Sequence, residues 1–99
     1  MTETTLRASA DGVFVVCGPL TFDSTPALWQ EGARVLEGVN ALVLDLQDVT
    51  RTDSAGLALL VAWMREARRR GVDIRFRHIP EQLMAIARTC NLQKLLPPE

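Results

Sequence analysis

Apolar runs and polar breaks alternate along the chain, and their spacing predicts strands and helices in turn. Residues 13–17 and 41–44 are almost continuously apolar, which is typical of strands that are covered on both faces. Residues 4–10 form a weaker extended run, and the Asp11-Gly12 pair after it predicts a hairpin turn with positive φ angles. Residues 73–78 alternate charged and apolar side chains, which predicts a half-buried strand at a sheet edge.

The first of three predicted helices follows a loop after the second strand. Thr25 is the predicted N-cap and Pro26 the first helical residue, where its missing N–H costs no hydrogen bond. Gly38 ends the helix. Trp29 lies beside the predicted buried stripe, so it is either an aromatic residue at the edge of the core or an anchor for a partner. The stripe itself is predicted at Leu28, Gly32, Val35 and Leu36.

The other two helices have the same kind of spacing and clear end signals. The second covers residues 55–70 and ends before Gly71, and its last turn holds three arginines that complement the helix dipole. The third begins at Pro80, and Asn91 takes the left-handed position after it, with Leu92 packing back. The predicted stripes are Leu57, Leu60, Val61 and Met64 on the second helix, and Leu83, Ile86, Ala87 and Cys90 on the third.

The element order is therefore β-β-α-β-α-β-α. One antiparallel hairpin is followed by two β-α-β crossovers, which are expected to be right-handed. We predict an α/β fold, with a mixed four-stranded sheet in a single domain over residues 1–99. The tail from residue 93 to the end is expected to be short and partly frayed.

Composition and charge narrow the class of protein. Hydrophobic residues make up 47% of the 99 residues, and no apolar run approaches the roughly 20 residues that span a bilayer. The first five residues lack the features of a signal peptide, so we expect a cytoplasmic protein with no inserted segment. The net charge is −1, although residues 51–99 carry nine basic and five acidic side chains. No aromatic residues interleave with these arginines, so we expect no nucleic-acid partner.

The sequence offers little that points to catalysis or to a cofactor. Cys17 and Cys90 lack metal-binding spacing, and both are expected to be reduced and buried. His78, the one histidine, lies on the last predicted strand with no visible partner, so we interpret it as a strand-end or surface residue. Walker A, GxGxxG and nucleophile-elbow patterns do not occur. We therefore predict a protein that is not an enzyme and has no metal or cofactor.

Three acidic residues near the centre of the chain are a candidate metal site, which is the alternative to the prediction of no metal. Asp45, Asp48 and Asp53 lie close in sequence and could in principle hold Mg²⁺. Asp48 and Asp53 fit better as residues that order the loop through hydrogen bonds to nearby backbone N–H groups. Asp45 is expected to face solvent at the end of its strand.

The stretch Asp53-Ser54-Ala55-Gly56 opens the second helix and is the candidate site. Asp53 or Ser54 caps the helix by accepting backbone N–H bonds, a contribution of about 1 kcal/mol. The start of a helix is also the position where a phosphate on a hydroxyl is best tolerated, because free backbone N–H groups and the positive end of the helix dipole face it. The small residues after it leave the hydroxyl open to a partner protein or a kinase. Ser54 is therefore the predicted site of partner binding or phosphorylation.

The central part of the chain resembles the signature of the STAS family. The matching residues are Leu44-Asp45-Leu46, Asp48-Val49, Asp53-Ser54-Ala55-Gly56-Leu57 and Leu59-Leu60. The family comprises small domains of anti-sigma-factor antagonists and of sulfate-transporter tails, and the element order of the whole chain fits it. In the antagonist branch, the serine that matches Ser54 is phosphorylated by a partner kinase, which switches binding off.

A closer likeness is to the MlaB-type STAS subunits. These free-standing cytoplasmic proteins bind the ATPase subunit of the ABC complex that moves phospholipids between the membranes of Gram-negative bacteria. The likeness rests on Leu28-Trp29, residues 51–60, and the ending with Leu83, Ala87-Arg88 and Asn91-Leu92. MlaB-like proteins can carry threonine where this chain has Ser54, and this difference keeps the antagonist interpretation open. Arg51-Thr52 favours the MlaB-type subunits, because antagonists usually have apolar residues there.

The resemblance to MlaB-type subunits implies a partner, a location and a role. The partner is an ABC transporter ATPase of the MlaF type, which places the protein at the inner membrane through the transporter complex. The role is maintenance of outer-membrane lipid asymmetry. The alternative is an anti-sigma-factor antagonist, whose partner is an anti-sigma factor kinase and whose switch is phosphorylation of Ser54. The residues that the resemblance assigns to the partner surface, besides Ser54, are Trp29, Arg51, Thr52, Asp53, Ala55, Gly56 and Leu57.

Overall fold

Strand β2 (Val13–Leu20) organises the sheet, because it pairs with three other strands. The computed structural model describes residues 4–10 and 12–96. The other strands are β1 (Thr5–Ala10), β3 (Ala41–Asp45), β4 (Val49–Thr52) and β5 (Asp73–Arg77). The helices are α1 (Thr25–Leu36), α2 (Ser54–Arg70) and α3 (Glu81–Thr89), and a 3-10 turn over Gln93–Leu95 follows them.

Over the described residues, the sheet is mixed and has five strands in the order β1-β2-β3-β5, with β4 also beside β2. β1 runs antiparallel to β2, and all other pairs are parallel. The predicted α/β class with a mixed sheet is confirmed, whereas the predicted count of four strands is wrong. β4 contains one apolar residue, Val49, so its sequence resembles a loop. It pairs with an extension of β2 beyond Cys17, where Gly18 and Pro19 had indicated the end of that strand.

The helices pack against one face of the sheet. Leu44 and Phe76 lie in register and point into the core that the helices complete. Val13 and Val43, which pair on the opposite face, are half-buried and lie outside that core. The helices therefore cover β2 and β3 on one face only, although Val15 of β2 is buried (8% exposed) on the other face as well. The outward side chains of β2 and β3 are covered in part by paired residues on the same face of the sheet. One of these is Arg75, which lies in register with Val43.

Helices α1 and α2 meet closely at Gly32. Trp63 of α2 is fully buried, and a β-carbon built on Gly32 would lie 2.2 Å from its indole Nε1. The buried face of α2 is wider than the predicted stripe, because this helix packs on both α1 and α3. Val61 and Met64 are half-buried. The buried residues of α2 are Gly56, Leu57, Leu59, Leu60, Trp63 and Ala67.

Each helix starts one residue away from the prediction: α1 begins at Thr25, α2 at Ser54 and α3 at Glu81. α1 ends at Leu36, and Gly38 lacks the left-handed conformation of the predicted stop.

Ser24, not Thr25, is the residue before α1. Its hydroxyl accepts a hydrogen bond from the N–H of Thr21 (3.0 Å). This bond closes the turn before α1, so the helix begins one residue earlier than expected. Gly71 and Asn91 follow α2 and α3 with φ angles of 72° and 58°, the left-handed conformation predicted for both positions.

The burial of the cysteines differs from the prediction, and the beginning of the tail is folded. Both cysteines are free, but Cys17 is half-buried and Cys90 is exposed, because it lies just beyond the last turn of α3. The tail is not frayed over its first residues, since it forms the 3-10 turn and buries Leu96. Gly12 has the positive φ (72°) that the predicted hairpin turn requires. Asp11 of that turn and residues 97–99 lie outside the described residues.

Candidate functional site

The carboxylate of Asp53 joins two loops at the start of α2. Asp53 is the N-cap of α2, and its Oδ1 accepts a hydrogen bond from the N–H of Ala55 (2.8 Å). Its Oδ2 accepts a second bond from the N–H of Phe22 (3.2 Å), in the turn before α1. The N–H of Asp53 in turn donates to the carbonyl of Leu20 (3.2 Å). One side chain therefore fixes the beginning of α2 relative to the turn that follows β2.

Ser54 is the first residue of α2 and is exposed. Its hydroxyl has no hydrogen-bond partner among residues 4–10 and 12–96, so it is available to another molecule. Ala55 beside it is half-buried, and Ala58, one turn further along α2, is exposed. These small side chains let a partner approach the helix backbone closely. The structure thus places the predicted candidate Ser54 on an open surface at a helix N-terminus, where a negative charge is favoured.

Three residues assigned to the partner surface are buried instead. Thr52 and Leu57 are 5% and 4% exposed, and Gly56 is buried as well. A β-carbon on Gly56 would lie 2.4 Å from Thr52 Oγ1 and 2.8 Å from the carbonyl oxygen of Leu20. Their predicted role as contact residues is therefore corrected: they pack the start of α2 against the ends of β2 and β4. That packing holds Ser54 at the surface.

Trp29 and Arg51 remain accessible to different degrees. Trp29 is half-buried on α1 and packs against the core, so the interpretation as an aromatic residue at the core edge is correct and part of its indole is free for contact. Arg51 is exposed on β4. It lines a cavity of about 680 Å³ between β4 and the start of α1, together with polar residues that include Thr21, Asp23 and Glu31.

Phe22 is the feature of this surface that the sequence did not reveal. It lies between Thr21 and Asp23, and 78% of the residue is exposed. In the sequence it is one apolar residue in a predicted loop, and the spacing of the apolar stripes does not show whether it points inward or outward. The signal that could have found it is its position between polar residues in a turn, away from any apolar stripe. Its backbone lies beside the start of α2, because Asp53, the residue before Ser54, accepts a hydrogen bond from its N–H.

The second group of polar side chains lies at the ends of β3 and β5. His78 Nδ1 is 3.0 Å from Asp45 Oδ1, so the prediction that His78 has no partner is wrong. The carboxylate of Asp45 is only 13% exposed, which corrects its expected solvent-facing position, and Arg77 lies 4.0 Å from it. Burial raises the pKa of the Asp45 carboxyl, but a hydrogen bond from the N–H of Gln47, His78 and the Arg77 charge together hold that pKa below its usual value.

This lowered pKa predicts a pH-dependent contribution to stability. A carboxyl whose pKa is lower in the folded state stabilises the fold above its unfolded pKa, and this stabilisation is lost as the pH falls through the folded value. At pH 7, Asp45→Asn is expected to lower the free energy of unfolding by roughly 0.5–1 kcal/mol. The difference from wild type should shrink as the pH falls below about 4. Urea unfolding at several pH values measures it, and an equal difference at pH 7 and pH 3 would contradict the prediction.

Asp48 does not order the loop in the predicted way. It is exposed, and its Oδ2 lies 3.9 Å both from Arg7 Nη2 and from Cys17 Sγ. Asp53 accepts a hydrogen bond from the N–H two residues ahead, as predicted, and Asp45 makes the other bond of this kind in place of Asp48. Over residues 4–10 and 12–96, no three His, Cys, Asp or Glu side chains are placed to hold a metal ion. In the same part of the chain, no helix is long and apolar enough to cross a membrane.

The class of protein follows from the match to a known family. A family model of the STAS class matches residues 4–97. Its description is "Mlab, STAS domain", and the chain belongs to this family. The resemblance noted in the sequence is therefore confirmed. No curated protein sequence matches the chain.

Several solved structures have the same fold. An anti-sigma factor antagonist from Mycobacterium paratuberculosis is 26% identical over 97% of this chain and 83% of that one, with a TM-score of 0.76. The phosphorylated form of the Bacillus cell fate determinant SpoIIAA is 13% identical over 98% of this chain and 91% of that one, with a TM-score of 0.71. The murine anion transporter Solute Carrier 26 family member A9 is 20% identical over 98% of this chain, which spans 20% of that one, with a TM-score of 0.67. The last two likenesses concern the fold alone.

Proposed function

We propose that this protein is a non-catalytic STAS subunit that binds the ATPase of an ABC transporter, and that the transporter moves phospholipids between the inner and outer membranes. It is cytoplasmic and reaches the inner membrane through that complex. The observation that carries the proposal is the open surface at Ser54, in a chain that the MlaB-type family model matches over residues 4–97. A partner that covers this surface would stabilise the ATPase or regulate it.

The geometry at Ser54 favours binding over catalysis. A serine nucleophile needs a base within hydrogen-bond reach, and none of the described residues provides one at Ser54. The histidine that could act as a base is paired with Asp45 at the ends of β3 and β5. Small residues, a rigid cap and an exposed helix start are instead what a partner protein needs for close approach.

The experiment is affinity capture of the tagged full chain from its source cells, followed by identification of the proteins that remain bound after washing in moderate salt. Recovery of an ABC ATPase together with its membrane subunits is the expected result. The tag alone, expressed in the same cells, is the control. Recovery of a histidine-kinase-like anti-sigma factor without any transporter subunit would contradict the proposal.

A second candidate is an anti-sigma-factor antagonist, and the position of Ser54 favours it. The hydroxyl is exposed at the first position of α2, where backbone N–H groups and the helix dipole stabilise the roughly −1.5 to −2 charges of a phosphate. SpoIIAA, which has this fold, has been solved in a phosphorylated form. The test is intact-mass spectrometry after incubation with the kinase from the source cell. An unmodified Ser54, with no anti-sigma factor recovered, would remove this candidate.

A further inference from the structure

We infer that Phe22 is the apolar anchor of the partner interface and that the partner carries an apolar pocket for it beside the groups that cover Ser54. This inference rests on the proposed function and adds the chemistry of the partner surface to it. Three observations support it: the exposure of Phe22, the rigidity of its turn, and its link to Ser54 through Asp53.

The exposure of Phe22 is unusual within this molecule. Among the described residues, only Phe22 (78%) and Leu95 (56%) are large hydrophobic residues with high exposure. Leu95 lies in the 3-10 turn near the end of the chain, outside the Ser54 surface. Burial of an aromatic ring is strongly favourable, and aromatic residues dominate the binding energy of protein interfaces. An aromatic side chain left in water beside the candidate site is therefore available for that use.

The turn that carries Phe22 is held in place on both sides. The N–H of Thr21 donates to Ser24 Oγ (3.0 Å), and the N–H of Ser24 donates back to the carbonyl of Thr21 (3.0 Å). Ser24 Oγ also donates to the carbonyl of Pro19 (2.8 Å). A side chain on a backbone that is already fixed loses little conformational entropy on binding, and such preorganisation raises affinity.

Asp53 places Phe22 and Ser54 in one surface. Its Oδ2 holds the N–H of Phe22 and its Oδ1 holds the N–H of Ala55, the residue after Ser54. The backbone at Phe22 and the start of α2 therefore keep a fixed relation, and we expect a partner that covers Ser54 to meet Phe22 as well. Asp23, the next residue in the chain, is polar and exposed, as expected for the polar rim beside an apolar anchor.

The experiment compares Phe22→Ser with Leu95→Ser, which removes the other exposed hydrophobic side chain. The probe is the purified ABC ATPase subunit from the transporter of the source cell, titrated calorimetrically with each full-length variant. Phe22→Ser is expected to weaken binding by about 10–100-fold, whereas Leu95→Ser changes it by less than about twofold. Phe22→Leu, which keeps an apolar side chain, should retain more affinity than Phe22→Ser. Circular dichroism and the melting temperature should match wild type for all three, because both positions are exposed.

The outcomes separate this inference from the proposed function. Wild-type binding together with equal affinity of Phe22→Ser would overturn the role of Phe22 and leave the proposed function intact. An equal loss with Leu95→Ser would overturn it too, because the effect would then belong to surface hydrophobicity in general. If the wild type does not bind the ATPase, the proposed function fails. The role of Phe22 as an anchor for that ATPase then fails with it.

Discussion

Gly32→Ala is expected to destabilise the domain strongly, because the new methyl group has no space between α1 and α2. Its β-carbon would lie 2.2 Å from Nε1, 2.4 Å from Cε2 and 2.8 Å from Cζ2 of Trp63. The indole is fully buried and cannot turn aside without disturbing the core around it. Overpacking of this kind costs about 3 kcal/mol at the upper end of its usual range, which is a large part of the roughly 5–15 kcal/mol that stabilise a domain. Thermal unfolding should show a drop of roughly 4–8 °C for each kcal/mol.

Gly38→Ala is the matched control for this substitution. A β-carbon on Gly38 meets nothing within 4 Å, so the same change in chemistry meets no steric obstacle. We expect its stability to be unchanged or raised by a few tenths of a kcal/mol, since alanine restricts the unfolded chain more than glycine does. In a Trp63→Leu background, the further loss of stability caused by Gly32→Ala should be smaller than in wild type, because the smaller side chain frees the space. Wild-type stability of Gly32→Ala alone would show that the helices do not approach as closely as in the structure.

The contact between Gly32 and Trp63 also shows what the periodicity of apolar residues could not predict. The spacing predicted Gly32 on the buried stripe of α1 but gave no reason for glycine there, because the reason lies on another helix. On α2, apolar residues occupy most of the circumference, so several stripes fit the same segment equally well. Trp63 is buried because α2 lies between two other helices. The sequence of α2 alone does not encode this tertiary arrangement.

The strands were predictable where their own sequence decides their burial. The alternation of Ile74 and Phe76 with charged residues on β5 matches their burial in the structure. β4 depends on its neighbour instead, since it forms only because β2 continues past Gly18 to Leu20. A polar segment of four residues that becomes a strand by pairing leaves no hydrophobic pattern to recognise.

At the candidate site, local features were predictable and long-range ones were not. The Asp53 cap and the exposed Ser54 follow from residues that are neighbours in the chain. The bond from Asp53 to Phe22 and the contact of His78 with Asp45 join residues 31 and 33 positions apart. Such pairings depend on the order of strands in the sheet, which spacing along one segment does not encode.

Replacing Ser54 with arginine or glutamate is expected to abolish the complex with the ATPase while the fold survives. Ser54 is exposed and its hydroxyl makes no bond within the described residues, so both side chains fit without disturbing the core. Glutamate is favoured at the first turn of a helix, and arginine there costs at most about 1 kcal/mol. In a covered interface, either charge loses its water and finds no partner, so affinity should fall by about 100-fold or more.

The controls separate the blocking of a surface from a phosphorylation switch. Ser9→Arg places the same charge on an exposed residue of β1 outside the Ser54 surface, and binding should persist. Ser54→Ala removes the hydroxyl without adding bulk, so a subunit that uses Ser54 only as a small surface residue should bind the ATPase almost as well as wild type. A phosphoswitch gives a different pattern, because alanine then fixes the binding state in cells and glutamate fixes the released one. Co-purification and titration with the purified ATPase measure each variant, and a complex retained with both Ser54→Arg and Ser54→Glu would place the interface elsewhere on the domain.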